Sequence, residues 1–96
     1  MIMADDFKVE QTGEELQTAI MTLKPGGESG PKSNEHANSE QVLYVVSGAV
    51  TAEVGDKKWV MMPGESTIVP RKVAHRFSNE GAETAVTFNV YGPPAY

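Results

Sequence analysis

The stretch Gly64-Glu-Ser-Thr-Ile-Val-Pro70-Arg-Lys-Val-Ala-His75-Arg-Phe-Ser-Asn79 decides how this chain is read. Pro63-Gly64 turns the chain, Thr67-Ile-Val69 makes a short strand, and Pro70, which has no amide proton to give to a sheet, closes it. Ala74 to Ser78 begins a further strand. His75 is one of only two histidines, and it stands beside turn signals at the start of that strand instead of inside an apolar run.

Working outward, Gln41-Val-Leu-Tyr-Val-Val-Ser-Gly48 is the clearest strand, apolar on both faces except near its ends. Both faces of such a strand need cover, one from the core and the other from a second sheet or a partner subunit, which predicts a homodimer. Ala49 to Val54 alternates and passes through the Gly55-Asp56-Lys57 turn into Trp59-Val-Met-Met62, a hairpin pattern. Ala85 to Tyr91 alternates until Gly92-Pro-Pro stops it. Toward the N-terminus, Gln17 to Leu23 reads as a strand ending at Pro25-Gly-Gly, while Thr12-Gly-Glu-Glu-Leu16 admits one helical turn. Seven or eight short strands at this spacing predict an all-β sandwich or small jelly-roll barrel. The tail Tyr91-Gly-Pro-Pro-Ala-Tyr96 reads as a rigid segment lying on the barrel or on a partner.

Composition agrees. Eleven valines against three leucines and three isoleucines favour strands over helices. The 96 residues fit one domain, 1–96, with a modest core. The absence of cysteine excludes disulfides, thiolate metal cages and a cysteine nucleophile. The chain lacks an apolar run long enough to span a membrane and a readable secretion signal, so neither membrane nor export is expected and the cytoplasm is the default. The net charge of -5 disfavours nucleic acid, and all of it lies in residues 1–40, which carry eight acids and three bases.

The quoted stretch resembles the second motif of the cupin family: glycine, five residues, Pro-x-Gly, two residues, His, three residues, Asn. Gly64, Pro70, His75 and Asn79 match every spacing, with Lys72 in place of a glycine. The family's first motif runs glycine, five residues, His-x-His, three or four residues, Glu, six residues, Gly. Counted back from Gly48, it places Gln41 at the acid and Asn34 and His36 at the pair. A register with three intervening residues would make Glu40 the acid, at the cost of the spacing to Gly48, and another would start the pair at His36 and end it at Asn38. The resemblance runs from about Leu23 to Tyr91 and implies a small jelly-roll barrel, the double-stranded β-helix.

Residues two apart in an extended strand point the same way, so Asn34 and His36 would converge on one point inside a barrel. With Gln41 and His75 they would form a set of two imidazoles and two amides. In cupins with the full motif, these positions are three histidines and a glutamate holding a divalent transition metal such as Fe, Mn, Ni or Zn. Two amides make a weaker donor set. Arg71, Lys72 and Arg76 surround His75 and would attract an anionic small molecule. Phe77 and Phe88, with Met21, Leu23, Trp59 and Met61, would wall a pocket or simply fill the barrel. Glu35 and Glu40 flank the site but ordinary alternation turns them outward.

Two functions follow. One is metal-assisted binding or chemistry on a small organic acid, sugar derivative or phenolic compound, with the reaction class and any catalytic residue undefined. The other is a metal-free sensor or carrier that binds a ligand without catalysis.

Overall fold

The computed structural model describes residues 6–33 and 37–96. These contain eight strands: β1 Asp6–Thr12, β2 Gln17–Leu23, β3 Glu40–Ser47, β4 Val50–Val54, β5 Lys57–Met61, β6 Ser66–Val69, β7 His75–Ser78 and β8 Ala85–Gly92. One sheet has the order β1-β2-β8-β3-β6, and the other β5-β4-β7. Isolated bridges at Glu28–Ser78 and Ser33–His75 run residues 28–33 antiparallel beside β7. The two sheets face each other as an all-β jelly-roll barrel, which the strand count and turn spacing predict. No helix among the described residues is long and apolar enough to cross a membrane.

Between the sheets, Met21, Leu23, Leu43, Val45, Val50, Ala52, Met61, Val69, Phe77 and Ala85 form the core. Period-two alternation supplies it: β2 buries every other residue from Gln17, and β3 every other residue from Gln41 to Val45. The turn at Gly48 has φ +74°, and a Cβ there would lie 2.6 Å from the Thr84 carbonyl oxygen. That position therefore needs glycine for both conformation and space.

The N-terminal segment departs from the expected helical turn. Gly13 N–H donates to Leu16 O at 2.7 Å, closing a hairpin in which β1 pairs along β2. All seven residues of β1 are exposed, so backbone pairing, not a buried face, holds it. The C-terminal tail does lie on the barrel. Gln17 Oε1 accepts from Ala95 N at 3.0 Å and Tyr96 N at 2.8 Å, and the Tyr96 ring stacks 4.8 Å from Phe7 and 5.1 Å from Tyr91.

Candidate functional site

Strand register brings four inward side chains into a row at one end of the barrel: Gln17, Tyr91, Gln41 and Val69. The next row inward is Ala19, Asn89, Leu43 and Thr67. Polar groups concentrate on β8, where Thr87 and Asn89 are both fully buried. Gln41 Nε2 donates to Asn89 Oδ1 at 2.9 Å, and Asn89 Nδ2 donates to Thr87 Oγ1 at 3.0 Å. Burying these amides is tolerable only because each meets a partner. The chain thus keeps a polar stripe where leucine or valine would fill the barrel without any polar group to satisfy.

His75 approaches from the opposite sheet. It is 7% exposed, pairs with Val54 across β4 and with Ser33 on its other side. Its Nδ1 donates to the Val73 carbonyl at 3.0 Å. This contact selects the tautomer whose lone pair sits on Nε2, the arrangement common for a metal-ligating imidazole. Gln41, with Nε2 committed to Asn89, likewise presents Oε1 as its lone-pair end. Gln41 is buried and inward while Glu40 is exposed and outward, so of the two residues weighed for the acid position, Gln41 is the one turned into the barrel.

Asn34, Glu35 and His36 lie outside the described residues. The chain on either side of them is held to the second motif. Ser33 N–H donates to His75 O at 3.2 Å, and Lys72 N–H donates to Ala37 O at 3.1 Å. Arg71 Nε donates to Asn38 O at 3.0 Å and Arg71 lies 3.9 Å from Glu40. Lys72 adopts φ 63°, the left-handed conformation for which a glycine is suited, at the position where the motif has its glycine.

The other residues singled out from the sequence are spread over different surfaces. Phe77 is inward and 1% exposed, packed in the core. Arg76, its neighbour, faces the other side of β7. There Arg76 contacts Glu53 Oε2 at 2.7 Å and Glu28 Oε2 at 3.4 Å. The hydrogen bond to Glu53 holds its guanidinium above the usual arginine range. Two carboxylates thus neutralise it away from the barrel interior. Phe88 pairs with Ile20 and Tyr44 on the outward face of the large sheet, because the inward positions of β8 are Ala85, Thr87, Asn89 and Tyr91. Asn79 is a structural knot: its Nδ2 donates to Leu23 O at 2.8 Å and Glu83 O at 2.6 Å, and its Oδ1 accepts from Gly81 N at 3.0 Å.

Sequence reading passed over Thr87, Asn89 and Gln17. The signal that could have found them was the spacing Thr87, Asn89, Tyr91, a polar residue at every second position of a strand whose other face is Val86, Phe88 and Val90.

Among the described residues, no three His, Asp or Glu side chains gather around one point that could hold an ion. What they do offer is one oriented imidazole and one oriented amide at the same end of the barrel, a partial donor set that fits a metal only if the first motif completes it.

A model of the family described as Cupin domain matches residues 19–91. Protein SchB of Streptomyces halstedii is 33% identical over 77 residues, covering 79% of this chain and 54% of its own; the chain thus spans about half the length of that curated relative. A crystal structure of the protein TT1209 from Thermus thermophilus is similar at TM-score 0.83 and 26% identity, covering 92% of this chain and 82% of its own. A sugar phosphate isomerase of the cupin superfamily from Silicibacter pomeroyi shares the fold at TM-score 0.74 and 21% identity, covering 81% of this chain and 50% of its own.

Proposed function

Because this chain belongs to the cupin family, we propose that it binds a small molecule at the Gln41 and His75 end of its barrel, through a divalent transition metal. His36, His75 and the amides of Asn34 and Gln41 would hold the ion. The observation that carries the reading is the buried polar stripe Gln41, Asn89 and Thr87 facing His75's sheet across the apolar core. Its groups satisfy one another within the protein, and a few convergent polar groups in a largely apolar interior are what orients a small ligand in such sites.

When bound, iron, manganese, nickel or zinc would supply a Lewis acid or an oxygen-activating centre. The protein's own contribution is orientation. Val73 O fixes the His75 tautomer, Asn89 fixes the Gln41 amide, and Tyr91 and Gln17 close the row beside them. Substrate classes consistent with the site are a small organic acid, a sugar derivative or a phenolic compound.

A second reading, a metal-free ligand sensor or carrier, draws on the neutral donor set: an amide stands at the acid position. Elemental analysis separates the two. Protein purified without chelator should carry a divalent transition metal, lost in His36→Ala and His75→Ala. Metal absent from the wild type and both variants even after reconstitution removes the metal-dependent reading.

The same proposal includes a homodimer in the cytoplasm. On the outward face of the large sheet Val42, Tyr44, Val46 and Phe88 stand 38%, 41%, 50% and 36% exposed. A second copy of the same apolar face supplies the cover that β3 lacks within its own chain.

A further inference from the structure

Where the two sheets' free edges meet, β5 and β6 leave a slot of about 540 Å³ lined by Val54, Asp56, Lys57, Trp59, Thr67, Ile68, Pro70 and Val73. Register places Trp59 beside Ala52 and Thr67 beside Leu43, both on the inward faces of their sheets. Their inward neighbours Ala52, Leu43, Met61 and Phe77 are all at most 1% exposed. Trp59 is 36% exposed, so an indole aimed at the barrel side is left partly uncovered by its own chain. The slot's volume lies within the range of small-molecule sites, roughly 300–1,000 Å³. Its walls are aliphatic and aromatic. Its rim is charged: Lys57 and Asp56 belong to the lining, and Lys32 Nζ donates to the Gly55 carbonyl in the same turn. The lining itself carries one ammonium and one carboxylate, and Lys32, held on the adjoining Gly55 turn, adds a second positive charge nearby that tips the balance toward an anion.

We propose that this slot binds a small, flat, largely apolar carboxylic acid, its ring against Trp59 and its carboxylate at Lys57. Aromatic stacking on the indole, with apolar contact from Val54, Pro70 and Val73, supplies the attraction, and the lysine sets orientation and charge preference. The slot adjoins the Gln41 and His75 end through Val73, whose carbonyl holds His75 Nδ1, and through Val54, the partner of His75 on β4, but its own lining contains neither His75 nor Gln41 and it needs no metal.

Trp59 is the chain's single tryptophan, so its indole fluorescence and its one indole N–H cross-peak report on the slot alone. The probes are para-nitrobenzoate and uncharged nitrobenzene, both in EDTA, which keeps the result separate from the metal reading. Para-nitrobenzoate should quench Trp59 and shift the cross-peak with a dissociation constant on the order of 1 mM. Lys57→Glu, a change at the exposed first residue of β5, should weaken para-nitrobenzoate by about three- to fivefold and leave nitrobenzene within about twofold. Trp59→Leu, followed by saturation transfer to the probe, should lose both. An unmoved indole cross-peak with either probe overturns the proposal, as does para-nitrobenzoate binding indifferent to Lys57→Glu and Trp59→Leu.

Discussion

Gln41 and Asn89 lie diagonally across β3 and β8, and the Gln41 Nε2 donates to Asn89 Oδ1 at 2.9 Å in the buried interior at one end of the barrel. Each amide makes the other's burial tolerable. Removing either strands its partner, so Asn89→Ala should cost about 2 kcal/mol and Gln41→Ala a similar amount. The double variant should cost about 1 kcal/mol less than their sum. Urea denaturation of the four proteins checks this; strict additivity would mean that the two amides do not sense each other.

Gln41→Glu restores the carboxylate that the cupin motif usually carries, at a buried position. Metal retention should rise by roughly tenfold or more, because a carboxylate is a stronger donor than an amide oxygen. The metal-free variant should lose about 1–3 kcal/mol from the buried charge or its protonation. Competitive metal titration and thermal melts in EDTA read the two effects separately. Tight metal with no gain from glutamate would remove Gln41 from the donor set.

The glycines of the two motifs should differ in sensitivity. Gly48 combines a positive φ with a Cβ position 2.6 Å from Thr84 O, whereas Gly64, at φ +90°, has nothing within 4 Å. Gly48→Ala should cost about 3 kcal/mol, and Gly64→Ala about 1 kcal/mol. Lys72→Gly runs the other way, relieving a left-handed lysine and gaining up to about 1 kcal/mol. Melting temperatures in that order are the expected result.

Asn79 joins β7 to the end of β2 and to the 79–83 turn through three side-chain hydrogen bonds. Asn79→Ala should cost about 3 kcal/mol while leaving the indole cross-peak of Trp59 in place. Chemical denaturation gives the loss, and a spectrum in which only neighbours of residues 23 and 83 shift would localise it.

Tyr44→Lys places a charge in the exposed apolar face of the large sheet. Sedimentation should show a dimer for the wild type at micromolar concentration and a monomer for the variant, with unchanged far-ultraviolet circular dichroism. A wild-type monomer under the same conditions would leave β3's outward face without its proposed partner.

Strands β2 to β8 and the turns between them were legible in the sequence, because a period of two and a proline stop are properties of the local backbone, whereas β1, exposed along its whole length, has no buried face to announce it and is held by pairing with β2. The motif spacing likewise announced His75, Asn79 and the odd Lys72. Residue alternation does not say which face of a strand is inside. On β8 the apolar residues Val86 and Phe88 face outward and Thr87 and Asn89 face the core, the reverse of the usual expectation, because β8 lies between β2 and β3, where Gln41 and backbone carbonyls satisfy its amides. The same limit applies to Arg76. Next to His75 in sequence, it belongs to the opposite face of β7, and the carboxylates that neutralise it come from Glu28 and Glu53, residues that only the packing of three chain segments brings together.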